Sequence, residues 1–290
     1  MNNIFDYEEY LSTIEKLKKK FPFLVCHCVG ESVCKRKIYG LSVGNYKSGV
    51  AFFGGFSGRD VVAIKVLLKY INNVSKAFQN KTRLAGVNIS AALLTRGLTV
   101  VPCVNPDGLE IVCNGKDGAK EYGDFVQTIS KGDFLSWDAN VKGIDISKNF
   151  NSGREEIQLD EAKKGIYGPS PSGYGGFAAE SEPETAAIVN FCERNNVHHA
   201  FVLQGNKRNI KWQGENSNPE NSRTMVKILS VCSGYGIVNE RNEEDFGGFK
   251  DWFCENYHKS AFSLGITRDN SDVEQEYKSL EEMLVIGTII

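Results

Sequence analysis

The chain has 290 residues, 41% of them hydrophobic, and a formal net charge of −2. This length and apolar content suffice to bury a large core, as in one α/β domain of ordinary size. A net charge so close to zero argues against a nucleic-acid partner or an acidic membrane surface held by bulk electrostatics.

The sequence carries no sign of a membrane span or a targeting segment. No stretch is long and apolar enough to cross a bilayer, and the N-terminal segment has no apolar region of the signal-peptide kind. The 8 cysteines are scattered without a C-x-x-C pair, which excludes a zinc ribbon or a thioredoxin-like redox motif. We therefore expect a cytoplasmic protein without a membrane partner.

Hydrophobic periodicity in the N-terminal part of the chain predicts helices and strands in alternation. The first helix has apolar residues at helical spacing and ends before Pro22. The predicted strands are residues 23–30, 37–44, 49–56 and 99–105, and a long helix is predicted at residues 61–78. Asn105 begins an Asn-Pro-Asp-Gly tetrapeptide, which predicts a turn.

The rest of the chain predicts loops first and regular structure afterwards. Residues 110–175 are rich in Gly, Asp, Lys and Ser, so we expect long surface excursions interrupted by the segment 143–150. The next helix is expected to have Ser181 as its cap and Glu184 as its third residue. Later strands are predicted at 198–205 and 260–266, and later helices at 222–232, 247–257 and 272–287.

This alternation predicts an α/β fold class. We expect a single-domain mixed, mostly parallel sheet with helices on both faces. Neither an internal repeat nor a linker-like break interrupts the sequence, so one domain is expected to span residues 1–290.

The segment Gly-Gly-Phe-Ser-Gly-Arg-Asp precedes the long predicted helix, and its residues Ser57 and Asp60 have the spacing of a helix start. The hydroxyl of Ser57 is expected to accept a hydrogen bond from the backbone N–H near Asp60. The Asp60 carboxylate is expected to reach back to Ser57 and to favour the positive end of the helix dipole. The residues alone therefore predict a structural cap here.

Six segments in chain order carry a family resemblance. They read GESVCKRKIYGLSVG (30–44), GGFSGRD (54–60), VVPCVNPDG (100–108), GIDISKNF (143–150), GYGGFAAESEPET (173–185) and GGFKDW (247–252). Together they resemble the zinc metallocarboxypeptidase family, particularly its bacterial branch acting on γ-D-glutamyl-diamino-acid peptides. The resemblance covers almost the whole chain and implies that family's fold.

The same resemblance implies that the metal site is lost. The family's "H-x-x-E" ligands fall on Ser57 and Asp60, and its second histidine falls on Gln204 when the segments are aligned on Trp212. The family's general base, a glutamate in a late strand, falls on Gly265.

None of these replacements suits zinc hydrolysis. A catalytic zinc needs about three His, Glu or Asp ligands and an open position for water. A serine hydroxyl and a glutamine amide are neutral and bind zinc poorly, and glycine has no group to take a proton. The histidines suggest no relocated site, and they are His27, His198, His199 and His258. We therefore predict neither a catalytic residue nor a zinc cofactor.

A binding cleft is expected to remain. The family's carboxylate-anchoring "N-R" pair falls on Ser147 and Lys148, and its mobile tyrosine falls on Glu243. Lys148 keeps a positive charge for an anionic peptide end, although a solvated surface lysine explains it equally well. Turn geometry accounts for Asn105, and structural ion pairing accounts for Arg59 and Asp145.

Three hypotheses follow. The first is a catalytically degenerate protein that binds a peptide, a peptidoglycan-type fragment or a protein in the former cleft. The second is an active carboxypeptidase or γ-D-glutamyl peptidase that uses zinc through divergent ligands. The third is a structural or interaction module, in which side chains or the 110–175 excursions are expected to close the cleft. The natural ligand and the oligomeric state stay open.

Overall fold

The structure, a computed structural model, describes residues 5–45, 47–205, 207–212, 221–239, 246–269 and 272–290. The strands are β1 (Val25–Glu31), β2 (Lys37–Val43), β3 (Ser48–Gly54), β4 (Arg83–Leu84), β5 (Val87–Asn88), β6 (Gly97–Val101), β7 (Asn196–Gly205), β8 (Asn209–Lys211), β9 (Gly236–Val238) and β10 (Ala261–Ile266). The helices are α1 (Tyr7–Lys20), α2 (Val61–Asn80), α3 (Ile89–Ala92), α4 (Pro106–Asn114), α5 (Gly123–Ser130), α6 (Arg154–Lys163), α7 (Pro183–Arg194), α8 (Ser222–Ser233), α9 (Phe249–Tyr257) and α10 (Val273–Ile289). Two 3-10 helices cover Gly115–Tyr122 and Ile146–Lys148.

Eight of these strands form one mixed sheet in the order β1-β2-β6-β3-β7-β10-β8-β9. The four central strands β6, β3, β7 and β10 are parallel. Antiparallel pairing joins β1 to β2, β2 to β6, and β10 to β8. The predicted mixed α/β sheet is therefore confirmed.

The central strands bury side chains on both faces because successive residues point in opposite directions. In β3, Val50 and Phe52 belong to one buried cluster, whereas Ala51 and Phe53 belong to another. The first cluster also contains apolar residues of α1, α2, α8 and α10. The second contains those of α7 and α9. Helices on both faces of the sheet are thus confirmed.

The parallel arrangement decides where a site can form. In an open α/β sheet, the connections that leave the carboxyl ends of parallel strands meet at one edge and line a crevice. Strands β3, β7 and β10 end at Gly54, Gly205 and Ile266. The residues that follow these positions therefore lie close together.

The expectation of long surface excursions at 110–175 was wrong. This region contains α5 and α6 together with a third buried cluster, in which Trp137 is fully buried. Its helices have 8 and 10 residues, which is too short for a clear apolar period. Its core is small and local, so the polar composition hid it.

Two helix starts also differ from expectation. The tetrapeptide beginning at Asn105 is the first turn of α4, whose N-cap Asn105 accepts from the Gly108 N–H at 2.8 Å. Helix α7 begins at Pro183 without a side-chain cap, so Ser181 does not cap it. Glu184 instead accepts a hydrogen bond from the Val33 N–H at 3.1 Å, because the buried carboxyl group makes a tertiary contact.

Within the ranges that the structure describes, none of the helices has the length and apolarity needed to cross a membrane.

Candidate functional site

A cleft of about 340 Å³ opens at the carboxyl edge of the parallel strands. Six basic side chains line it, namely Arg59, Lys148, Lys164, Lys207, Lys211 and Arg268. Three acidic side chains line it as well, namely Asp60, Asp138 and Asp145. The cleft is therefore locally positive in a chain whose net charge is −2.

The structure brings together the positions that the resemblance singled out. Ser57, Asp60, Gln204 and Gly265 all line this one cleft. Ser147 and Lys148 line it too. Glu243 lies outside the described residues.

The expectation that Ser57 caps the long helix was wrong, although both expected hydrogen bonds of the Ser57 and Asp60 pair are present. Helix α2 begins at Val61, and the side chain of its N-cap Asp60 makes no capping hydrogen bond. The Ser57 hydroxyl donates to Asp138 and accepts from the Arg59 N–H at 3.1 Å. The second expected contact is also present, because Asp60 accepts from the Ser57 N–H at 3.3 Å. Ser57 and Asp60 therefore bond to each other and to other residues of the cleft, and the Asp60 side chain does not cap α2.

Two arginines and two buried carboxylates form the centre of the cleft. Arg59 donates hydrogen bonds to Asp138 from Nε at 2.9 Å and from Nη2 at 2.5 Å. Arg268 Nε lies 3.3 Å from Asp60 Oδ1, and its Nη2 lies 3.4 Å from Asp138 Oδ1. Asp60 Oδ1 also accepts from the Gly205 N–H at 3.1 Å. Asp138 and Arg268 could not be predicted from the sequence, because neither falls in a recognised family segment.

The electrostatics of the two carboxylates differ. Burial raises the pKa of Asp60 to about 6, with Arg268 opposing the shift and Asp138 adding to it. Burial also acts to raise the pKa of Asp138, but hydrogen bonds from Arg59 and Ser57 outweigh it and hold the pKa below its usual value. Asp138 is thus the firmly ionised member of the pair.

The groups at the family's ligand positions do not fit a zinc ion. The Ser57 hydroxyl is bonded to Asp138, and the Gln204 amide nitrogen donates to Ser263 Oγ at 2.6 Å. Asp60 is the one anionic donor among the three positions, and its Oδ1 already accepts from a guanidinium. Elsewhere in the described residues, His, Cys, Asp and Glu form no cluster of three or more suited to a metal ion. That the protein does not use zinc stays a prediction.

Gly265 lies where the resemblance places the general base. A Cβ added there would come within 1.8 Å of the Lys207 carbonyl oxygen and 2.9 Å of Asn209 Oδ1. Real Cβ atoms essentially never approach a neighbour below 3.0 Å. In this arrangement the position has no room for any side chain.

Lys148 is not a solvated surface lysine, so that alternative was wrong. Its side chain is 10% exposed, and its Nζ lies 3.6 Å from Asp160 Oδ2. The same carboxylate oxygen accepts from Lys164 Nζ at 2.8 Å. Asp160 therefore holds two ammonium groups at the cleft wall, a role that the sequence did not reveal. The neighbouring Ser147 hydroxyl donates to Asp145 at 2.6 Å.

A smaller cavity of about 40 Å³ adjoins the cleft and shares four of its lining residues, Phe56, Ser147, Gln204 and Ser263. Its other wall includes Lys250, which is buried and pairs with Asp251. The charge of this lysine is therefore compensated within the protein.

The remaining expectations concern Arg59, Asp145 and the histidines. Arg59 is ion-paired as expected, whereas Asp145 caps the short helix that follows it, accepting from the Ser147 N–H at 3.1 Å. His198, His199 and His258 line a separate cavity of about 480 Å³. Among them, His199 bonds the Gly287 carbonyl at 2.8 Å, and burial lowers its pKa to about 4.

Comparison with known sequences gives a consistent result. Residues 10–270 match the family model described as zinc carboxypeptidase. The chain is 28% identical over 262 residues to gamma-D-glutamyl-L-diamino acid endopeptidase 1 of Lysinibacillus sphaericus. That alignment covers 90% of this chain and 65% of the relative, so the chain spans less than two thirds of that protein's length.

Solved structures confirm the fold. Bovine thrombin-activatable fibrinolysis inhibitor, in complex with tick carboxypeptidase inhibitor, superposes with a TM-score of 0.72 at 17% identity, covering 98% of this chain and 95% of that one. A murein-tripeptide amidase of Escherichia coli O157 gives a TM-score of 0.56 at 16% identity, covering 90% and 91%.

Proposed function

The chain belongs to the zinc carboxypeptidase family, and we propose that it binds a carboxylate-bearing peptide in the former active-site cleft without hydrolysing it. The observation that carries this proposal is an open cleft with six basic and three acidic side chains but no room for a base at Gly265. We also propose one domain over residues 1–290 and a cytoplasmic location.

The charge pattern favours an anionic ligand group. Lysine and arginine side chains bind carboxylates through charge-assisted hydrogen bonds. Lys148 is held in place by Asp160, so little side-chain freedom is lost when a ligand arrives. We assign to Lys148 the anchoring of the ligand's carboxylate.

The name of the Lysinibacillus relative suggests a ligand class. A D-glutamyl residue linked through its γ-carboxyl keeps its α-carboxylate free, so a γ-D-glutamyl-diamino-acid peptide carries one more carboxylate than an ordinary dipeptide. Such a peptidoglycan-type fragment suits a positive cleft. An ordinary peptide or protein C-terminus offers a single carboxylate.

The openness of the cleft supports this proposal over a structural module. The module hypothesis expects the former site to be filled or closed. Among the described residues, Ser57 and Gln204 instead border about 340 Å³ of accessible space.

The test is calorimetric titration with γ-D-glutamyl-L-lysine and with its C-terminal amide. We expect the acid to bind and the amide to bind more weakly. Lys148→Ala should lower affinity for the acid by about tenfold or more, because it removes a charged hydrogen-bond donor. The exposed α2 residue Lys76 provides the control, and Lys76→Ala should bind as the wild type does.

Metal content and hydrolysis decide the catalytic part. Protein purified with zinc supplied should contain no stoichiometric zinc and should leave the dipeptide intact. About one zinc per chain, or hydrolysis abolished by a chelator, would instead establish the active peptidase with divergent ligands.

A further inference from the structure

Arg268 is placed as a metal ion would be placed between ligands. Its Nη2 lies 3.3 Å from Asp60 Oδ1 and 3.4 Å from Asp138 Oδ1. These carboxylates come from segments 78 positions apart (138 − 60 = 78), so the guanidinium bridges two parts of the fold. Asp60 is the single anionic group left at the family's ligand positions.

The fold provides a specific seat for this side chain. A Cβ at Gly205 would lie 2.3 Å from Arg268 Cγ and 2.5 Å from its Nε, so the glycine leaves the room that the arginine fills. The Gly205 N–H donates to the same Asp60 oxygen that receives the guanidinium. Gly205 therefore contributes both space and a hydrogen bond to one arrangement.

The charge balance of the cleft also depends on Arg268. Asp60 and Asp138 are both buried, with 2% and 7% of their surfaces exposed. Arg59 donates hydrogen bonds to Asp138 from both Nε and Nη2. Among the described residues, Arg268 is the basic side chain that forms an ion pair with Asp60. Without it, two neighbouring buried carboxylates face one cation.

We propose that the guanidinium of Arg268 has taken over the electrostatic role of the family's metal ion. It neutralises the surviving ligand carboxylate and fills the space between Asp60 and Asp138, which keeps a divalent cation out. The inference deepens the proposed function by naming the fixed positive charge of the cleft, but it does not depend on peptide binding.

Removing the guanidinium should expose a cation site. Asp60, Asp138, the Gln204 amide and the Ser57 hydroxyl supply only oxygen donors for a metal, which suits a hard cation such as Ca²⁺. Because two buried carboxylates would then face a single cation, Arg268→Ala should lower the thermal unfolding midpoint at pH 7.5 by about 5 °C or more. Added Ca²⁺ should restore part of that loss and bind at least about tenfold more tightly than to wild type.

Three further variants sharpen the test. Arg268→Lys keeps the charge and should gain little Ca²⁺ affinity. Arg83→Ala removes an exposed arginine and should match the wild type in both measurements. The double variant Asp60→Asn with Arg268→Ala should be more stable than Arg268→Ala alone and should not gain Ca²⁺ affinity.

The outcomes separate cleanly. An unchanged midpoint for Arg268→Ala, or a double variant no more stable than the single one, overturns the inference. So does wild-type Ca²⁺ or Zn²⁺ binding as tight as that of Arg268→Ala, or a lowered midpoint that Ca²⁺ does not raise. No peptide is present in the unfolding and Ca²⁺ assays, so their failure leaves the peptide-binding proposal untouched, and a failure of peptide binding leaves this inference untouched.

Discussion

At the residue scale, Gly265 is a position in the cleft that leaves no room for a side chain. The Lys207 carbonyl oxygen occupies the space in which a side chain at this position would begin. Strand β8 follows this carbonyl and pairs with β10 through Ile210 and Leu264, which holds the carbonyl in position. A glutamate introduced at position 265 would therefore clash with the Lys207 backbone, which cannot move aside as a flexible side chain can.

Gly265→Glu should consequently destabilise the protein and restore no hydrolysis. We expect a loss of more than about 3 kcal/mol in unfolding free energy, because backbone must move to admit the side chain. Gly168→Glu is the matched control, since a Cβ there has no neighbour within 4 Å. It should stay within about 0.5 kcal/mol of wild type. Urea denaturation measures both, and equal losses in the two variants would contradict the reading of Gly265.

At the element scale, the start of α4 connects the fold to the cleft. Asn105 caps this helix through Gly108, and its Nδ2 lies within 3.1 to 3.2 Å of the carbonyls of Phe56, Asp138 and Ala139. One buried amide thus fixes a helix start and the backbone that carries Asp138 into the cleft.

Asn105→Ala should cost about 2–4 kcal/mol, because it removes a cap and leaves buried carbonyls without a donor. Asn88 offers a matched comparison, since it caps α3 through the Ala91 N–H but is exposed. Asn88→Ala should cost about 1 kcal/mol or less. Thermal and urea unfolding of the two variants decide the matter, and similar losses would show that Asn105 acts only as a cap.

How far the sequence predicts these elements depends on the length of each apolar pattern. The long helix from Val61 and the strand ending at Gly205 were predicted because their apolar spacing continues over many residues. Trp137 and its small core escaped prediction because short helices and 3-10 turns leave no clear period. Arg268 escaped for a different reason, since its partners Asp60 and Asp138 lie far away in the chain.

At the scale of the whole molecule, two buried titratable groups oppose each other in their effect on stability. Burial, followed by the charge of Asp107, raises the pKa of Glu184 from 4.5 to about 8. Burial lowers the pKa of His199 from 6.5 to about 4. The folded state therefore favours a protonated Glu184 and a neutral His199.

The signs of the two effects bound a stability optimum. For Glu184, stability is fully present below pH 4.5 and is lost as pH rises through about 8, since the unfolded chain ionises first. For His199, stability is present above pH 6.5 and is lost as pH falls towards 4. The unfolding free energy should therefore be greatest between about pH 4.5 and pH 6.5.

The variant Glu184→Gln isolates the alkaline side of this profile. Between pH 6 and 9 the wild type should lose on the order of 2 kcal/mol that the variant keeps. The control Glu156→Gln alters an exposed residue of α6 and should retain the wild-type slope. Urea unfolding at the two pH values measures the slopes, and a wild type without an alkaline decline would rule out the assignment to Glu184.

The Lys207 carbonyl beside Gly265 also limits how this protein could evolve. If the cleft lacks hydrolytic activity, as we propose, introducing it would require metal-binding side chains at Ser57 and Gln204, removal of the Arg268 guanidinium and movement of the Lys207 carbonyl before a glutamate fits at 265. We expect each of these changes made alone to yield no turnover, because the others would still be missing. A change in the ligand that this cleft binds is therefore more accessible to mutation than a gain of hydrolysis.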